Sequence, residues 1–418
     1  MQILGLIFLF IFSAIIISLF KNRAVRIILA ILFGIFFVMQ IMSLYLGGSF
    51  IDYRFYLHFN LNSLEMAGGY HKQIFWTILT LIVTPITMYF FAFFTQRAQS
   101  VIAQRTQRNK NSALSAKIFA FFARTFKFGI LIISLIIIIL PQESIYHKLK
   151  EIVDVAGYST HKNSDFEQIL KNLEEKSEVP NQKFTLKEDL NAEFGGKNII
   201  ILSLESFEKA FIHDANADLA PNLRRLKNEW NFYEMQPQDR SHWTAGSLYT
   251  VFTGLPCIFA GHSNDFFAGA NQSKIISLGD VLNACNYDTY HLSNNAEFSG
   301  TKDILKTFGI KHILDKNFGN KNLRQMAMGG AYDKDIFAKA KEIILRENAD
   351  NKPFMLWLST TQLHNPDGVV DDEVTKITGQ KSTQLETVAF ATDYLINDFL
   401  LFLQQNDFFE KYGSLYFS

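Results

Sequence analysis

Disulfide-forming residues, proline and net charge are all scarce in this chain. It has 2 Cys and 8 Pro in 418 residues, and 40 basic side chains are balanced by 40 acidic ones. So few cysteines exclude a disulfide-dense small secreted fold. A formal charge of zero excludes a polybasic nucleic-acid binder, so no nucleic-acid partner is expected. With 48% hydrophobic residues, the chain is not a charge-rich disordered one. The apolar residues, including 41 Phe, are spread unevenly. Residues 1–20 and 27–47 carry no charged side chain. The first third reads as membrane and the rest as a soluble domain of ordinary composition.

Four apolar stretches are long enough to span a bilayer, which takes about 20 helical residues: Met1–Phe20, Ile27–Leu46, Ile74–Thr95 and Ile118–Leu140. The fourth carries Arg124 and Lys127 in its first half, and these would have to snorkel to the near surface. Lys21–Arg26 and Gln96–Lys117 contain basic residues and no acid, whereas the loop Gly47–Gln73 is mixed. The positive-inside rule puts the two basic loops in the cytoplasm. Four spans then leave everything after Pro141 outside it, on the periplasmic side of the inner membrane. Met1–Phe20 lacks a basic n-region and a small-residue cleavage site, which favours a retained helix over a signal peptide. Buried core helices of a large soluble protein are the other reading, and loop charge of one sign argues against it.

The expected organisation is a transmembrane anchor over 1–141, a helical connector over 142–196 and an α/β domain over 197–418. The connector includes a helix at Asp165–Glu175 and a loop around Pro180. In the last part, β-branched or apolar runs at Asn198–Leu204, Asp288–Leu292, Pro353–Ser359 and Gly413–Ser418 read as strands. Helical patterns cover Pro221–Trp230, Leu278–Cys285, Lys302–Phe308, Tyr332–Arg346 and Gln384–Gln405. Alternation of this kind predicts a central, mostly parallel sheet with helices on both faces, and chemistry at the carboxyl ends of the strands.

Several residues at those ends could carry chemistry. Glu205 follows the first strand and could bind a divalent cation, or it could cap the next helix. Thr244 precedes the apolar helical stretch Leu248–Phe252. Its hydroxyl could cap that helix, or it could be a nucleophile where a phosphate would also be held. His364, in the loop after Pro353–Ser359, could donate a hydrogen bond to phosphate or to a leaving hydroxyl, or be an ordinary loop histidine. Asn294 and Asn295 occupy the equivalent position after Asp288–Leu292. Lys302 could meet an anionic group, or simply be a solvated lysine. Cys257 and Cys285 could pair in an oxidising compartment or remain thiols.

The wording around these residues resembles the alkaline phosphatase–sulfatase superfamily. The motifs are LSLESFEK at 202–209, APNLRRL at 220–226, Trp243–Ser247 with Gly254–Cys257, and LGDVL at 278–282. They continue with FSGTKDILKTFG at 298–309 and TTQLHNPDG at 360–368. Within the superfamily the pattern is similar to the membrane-anchored phosphoglycerol transferases and lipoteichoic acid synthases, and most like the transferase that decorates periplasmic glucans. The resemblance implies that Glu205 and Thr244 are metal ligands, with manganese or zinc as the ion, and that Thr244 is the nucleophile. It implies that His364 lies on the substrate side, and Asn294, Asn295 and Lys302 are candidates for the same role. The reaction implied moves a phosphoglycerol or phosphoethanolamine head group from a membrane phospholipid to Thr244, and then to a glycan or lipid acceptor.

Two departures from the pattern qualify this. Lipoteichoic acid synthases carry a Trp and an Arg where Ser299 and Thr301 stand here, which argues against a lipoteichoic acid acceptor. The family also completes its metal site with an Asp-His pair after the strand matching Gly413–Ser418, and no histidine of this chain follows an aspartate. The sequence therefore leads to the expectation of a truncated enzyme with the ion weakly held or absent, inactive or dependent on a missing C-terminal piece. The alternatives are a non-catalytic membrane protein and a sulfatase- or phosphatase-type hydrolase. Thr244 lacks the modifiable Cys/Ser context of a sulfatase.

Overall fold

The computed structural model describes residues 2–58, 71–108, 125, 128–139, 144–158, 187–193, 196–213, 216, 218–238, 241–257, 275–297, 300–326, 329–350, 352–364 and 367–417. The chain divides into two compact units, Met1–Gly157 and Tyr158–Ser418.

The first unit is helical, with α1 (Gln2–Leu19), α2 (Arg23–Gly47), α3 (Tyr53–His58) and α4 (His71–Arg108). Asn22 starts α2 by accepting the Ala24 N–H at 2.8 Å, as expected of an N-cap. Gly34 lets α2 approach α4 closely: a Cβ there would lie 2.5 Å from Cγ of Pro85, the proline inside α4. Gln96 ties the end of α1 to α4, because its Nε2 donates to the Ser18 carbonyl at 2.6 Å and its Oε1 accepts from Arg26 at 2.7 Å.

Three helices among the described residues are long and apolar enough to cross a membrane: Gln2–Leu19, Arg23–Tyr45 and Phe75–Phe94. The fourth expected span is described mainly over α5 (Phe128–Ile139), a shorter apolar helix. At about 1.5 Å per residue, α5 alone falls short of a hydrocarbon core of about 30 Å. Arg124 and Lys127 lie outside the described residues. Of the expected connector, α6 (Ile145–Tyr158) and a short 3₁₀ turn at Lys187–Asp189 are described. The predicted helix Asp165–Glu175 and the loop around Pro180 lie outside the described residues.

The second unit is built on five parallel strands: β1 (Asn198–Leu204), β2 (Asp288–Leu292), β3 (His312–Leu314), β4 (Phe354–Thr360) and β5 (Gly413–Phe417), in the order β3-β2-β4-β1-β5. Alternate residues face opposite sides of such a sheet. Ile200, Leu202, Tyr290, Leu292, Leu356 and Leu358 form one face and pack on α11 (Asp333–Asp350) and α13 (Gln384–Gln405). Ile201, Met355 and Trp357 form the other and pack on α8 (Thr244–Thr253), α9 (Leu278–Ala284) and α10 (Thr301–Thr307). Further α-helices among the described residues are α7 (Pro221–Glu229), with Pro in its first turn, and α12 (Asp372–Thr378). Helices thus cover both faces, as the alternating pattern predicted. Cys257 is buried and Cys285 half-buried; they are not bonded to each other, and Cys285 Sγ donates to the Ala192 carbonyl at 3.5 Å.

Two buried features give measurable consequences. His291 on β2 is 1% exposed, and its Nε2 lies 3.3 Å from Ser359 Oγ. Burial pulls its pKa from 6.5 down to about 3. Stability from this site is therefore complete above pH 6.5 and is lost as the pH falls toward 3, at on the order of 1.4 kcal/mol per pH unit. The full-length protein in detergent should show a thermal midpoint that drops on acidification below pH 6.5. H291Q should flatten that slope, and an unchanged slope would remove His291 as its source. The second feature is Gly330, at φ +84°, where an added Cβ would sit 2.2 Å from the Asn294 carbonyl oxygen. Both the positive φ and the clash oppose a side chain, so G330A should lower stability by on the order of 2 kcal/mol or more, read as a fall in the same thermal midpoint.

Candidate active site

Because every strand runs the same way, the carboxyl ends of β2, β4 and β1 lie side by side at one edge of the sheet. The loop after each of these strands carries residues that the sequence singled out.

Glu205 is the first residue after β1. The next residue, Ser206, has φ +58°, unusual for a side chain with a Cβ, and the Phe207 N–H turns back to the Leu204 carbonyl at 3.2 Å. This tight turn holds the carboxylate at the strand end. Thr244 is the first residue of α8, and Trp243 before it is the N-cap but makes no side-chain capping bond. The Thr244 hydroxyl points elsewhere. It donates to the Glu205 carboxylate, 3.1 Å from Oε1 and 3.0 Å from Oε2. The first backbone N–H groups of α8 therefore have no side-chain cap, and a helix start of this kind attracts anions.

Burial raises the Glu205 pKa above its ordinary value, against the opposing pull of the nearby His364 and of the Thr244 hydroxyl. His364 sits in the loop after β4, where its N–H donates to the Thr361 carbonyl at 2.9 Å and its carbonyl accepts the Gly368 N–H at 3.1 Å. The structure thus brings Glu205, Thr244 and His364 together. Asn294 bridges to the same loop, since its Oδ1 accepts the Thr361 hydroxyl at 3.1 Å. Asn295 and Lys302 are engaged locally. The Asn295 side chain accepts the Glu297 N–H at 3.2 Å, and the Lys302 ammonium pairs with the Glu297 carboxylate. Ser299 lies outside the described residues.

Sequence reasoning missed the residues that hold these loops in place. Asp333 is 1% exposed at the start of α11, and its carboxylate accepts the Thr361 and Gln362 N–H groups at 2.8 and 3.2 Å. Burial pushes its pKa up to about 7, while these two N–H groups pull it back. An acid before an amphipathic run reads in sequence as a helix start, and nothing local shows that it turns toward a loop 28 residues further on.

The expected divalent ion can be tested against the donors present. Glu205 offers a carboxylate and Thr244 a hydroxyl, and no group of three or more His, Cys, Asp or Glu stands together among the described residues. A zinc site takes about four donors and harder ions take about six, so these residues do not by themselves fit the ion.

A family model described as Sulfatase matches residues 197–412. Among solved structures, the lipoteichoic acid synthase LtaP from Listeria monocytogenes is similar at 19% identity, with 59% of this chain and 61% of that chain covered and a TM-score of 0.46. The lipooligosaccharide phosphoethanolamine transferase A from Neisseria meningitidis, an integral membrane protein, is similar at 15% identity. That match covers 96% of this chain and 71% of that one, with a TM-score of 0.45. The Streptococcus pyogenes phosphoglycerol transferase GacH, solved with sn-glycerol-1-phosphate, is 15% identical over 64% of this chain and 67% of that chain, with a TM-score of 0.39. This chain spans 61% of the length of the Listeria protein. The family match takes in β1 through the segment before β5, together with Glu205, Thr244 and His364, and covers more than half of the sequence; the chain belongs to the sulfatase family.

Proposed function

We propose that the second unit transfers a phosphoglycerol or phosphoethanolamine head group from a membrane phospholipid to a glycan or lipid acceptor on the periplasmic side of the inner membrane, with Thr244 as the covalent carrier. The observation that carries this reading is the Thr244 hydroxyl at the start of α8, donating to the half-buried Glu205 carboxylate. A threonine hydroxyl is a poor nucleophile unless a neighbouring group takes its proton. A carboxylate with a raised pKa is a better proton acceptor than an ordinary one.

In the first half-reaction the Thr244 oxygen attacks the donor phosphorus, and its proton passes to Glu205. A bond forms from Thr244 Oγ to phosphorus, and the bond from phosphorus to the diacylglycerol oxygen breaks. That oxygen leaves with a proton delivered from the His364 side. In the second half-reaction an acceptor hydroxyl attacks the same phosphorus and passes its proton to the His364 side, the bond from phosphorus to Thr244 Oγ breaks, and that oxygen regains the proton held by Glu205. The uncapped N–H groups of α8 face the charge that builds on the phosphoryl oxygens. The three helices long enough to cross a membrane fit a lipid donor.

A second reading, a non-catalytic membrane protein, draws on the short donor set around Glu205. One experiment separates the two, and also separates transfer from hydrolysis. The full-length protein is reconstituted in vesicles of phosphatidylglycerol or of phosphatidylethanolamine, with manganese or zinc added. Transfer predicts diacylglycerol release and a head-group adduct on the peptide containing Thr244. T244A should lose both, and T244S should keep part of each. E205Q should slow the first turnover by on the order of 10²-fold or more. Free glycerol phosphate or phosphoethanolamine formed without an acceptor would mark a hydrolase. Neither diacylglycerol nor adduct from either lipid would leave the non-catalytic reading.

A further inference from the structure

We propose that Asp333 and Gln362 form a buried clamp that sets the position of His364, making both of them positioning residues for the site. The inference rests on the reading of His364 as a substrate-side group. It concerns residues that do not touch the reacting atoms.

The geometry is a closed set of hydrogen bonds. The Asp333 carboxylate accepts the backbone N–H of Thr361 through Oδ1 at 2.8 Å and that of Gln362 through Oδ2 at 3.2 Å. The Asp333 N–H donates in return to Gln362 Oε1 at 2.8 Å. Gln362 then closes the loop on itself. Its Nε2 donates to the Val369 carbonyl at 2.8 Å, and its own carbonyl accepts the Val369 N–H at 2.6 Å. His364 sits inside that ring of bonds, fixed by its own backbone to Thr361 and Gly368. Gly368 permits the closure, with φ +71° and its backbone so close to Gln362 that a Cβ would lie 3.0 Å from the Gln362 carbonyl.

Asp333 and Gln362 are 1% and 3% exposed, so water does not replace these partners. A buried donor left without its acceptor costs the full desolvation penalty. An ordinary surface loop after a strand has no such anchor. This one is tied at Thr361 and Gln362 to the first residue of α11, and at the Thr361 hydroxyl to Asn294 at the end of β2. The loop therefore has little freedom where it carries the histidine, and catalytic geometry is sensitive to small displacements.

The test uses the full-length protein in detergent, with D333N, Q362A, H364A and the double variant D333N/H364A. Asn at 333 keeps the shape but turns an NH₂ group toward one of the two N–H donors. Q362A leaves Asp333 in place and covers the case in which D333N does not fold. Hydrogen exchange is read on the peptide spanning 361–369. Carbethoxylation by diethyl pyrocarbonate is read at His364, with His312 on β3 as the internal reference. The clamp predicts that exchange in 361–369 speeds up by about tenfold in D333N or Q362A. His364 reactivity should change severalfold relative to His312. In the head-group transfer assay D333N should lower kcat, and it should cost nothing more once His364 is already Ala. Unchanged exchange and His364 reactivity would overturn the clamp. So would a D333N cost that is equal in the two backgrounds, since that marks general stability rather than positioning. A wild-type protein without turnover would defeat the transferase reading alone, because exchange and labelling still decide the clamp.

Discussion

β1 and β4 run parallel and in register, with Leu204 opposite Thr360, so the chain leaves both strands at the same edge of the sheet. Everything at the site depends on that pairing. It puts Glu205 and the loop carrying His364 on adjacent exits, and β2 on the far side of β4 adds Asn294. An antiparallel neighbour would send one of these loops to the opposite edge. The strands are held by apolar packing on both faces, from Leu356 and Leu358 on one side to Met355 and Trp357 on the other. The core thus fixes the positions of polar groups that by themselves gain little from being close.

Closeness has an electrostatic consequence. A carboxylate taken out of water needs partners, and Glu205 finds the Thr244 hydroxyl and the nearby His364. The same contacts that offset its desolvation hold a carboxylate against a threonine hydroxyl. Asp333 solves a similar problem differently. It spends its two oxygens on backbone N–H groups, which do not titrate, and so becomes a rigid part of the scaffold. The two acids thus differ in their partners: Glu205 faces side chains, and Asp333 faces backbone N–H groups.

Most of the architecture was legible because it is periodic. β1, β2, β4 and β5 were read from short apolar or β-branched runs, and α13 from its amphipathic pattern; its Thr383 capping box emerges only in the structure. β3 was missed because three residues carry no period, and α12 because a seven-residue helix rich in charge resembles a loop. Glu205, Thr244 and His364 were found from strand-end position and from resemblance. Neither signal could show that Thr244 lies one place inside its helix, with its hydroxyl turned to Glu205 rather than to its own backbone. Asp333 and Gln362 were out of reach, because their partnership joins segments 29 residues apart in sequence. Ser206 was out of reach too, since nothing in LSLESFEK marks a positive φ.

The charge balance at the site bears on what it would bind. Lys302 is the cation that sequence position suggested for an anionic ligand, and Glu297 neutralises it. The start of α8 at Thr244 offers positive potential, and the Glu205 carboxylate stands against it. A phosphate monoester or a free phosphate brings close to two negative charges at neutral pH and would meet that carboxylate at a cost. A phosphodiester brings one. Its remaining bulk is a lipid on one side and a small alcohol on the other, and neither asks for compensating charge. On the proposed transferase reading, a diester donor would meet less repulsion from Glu205 than a phosphomonoester.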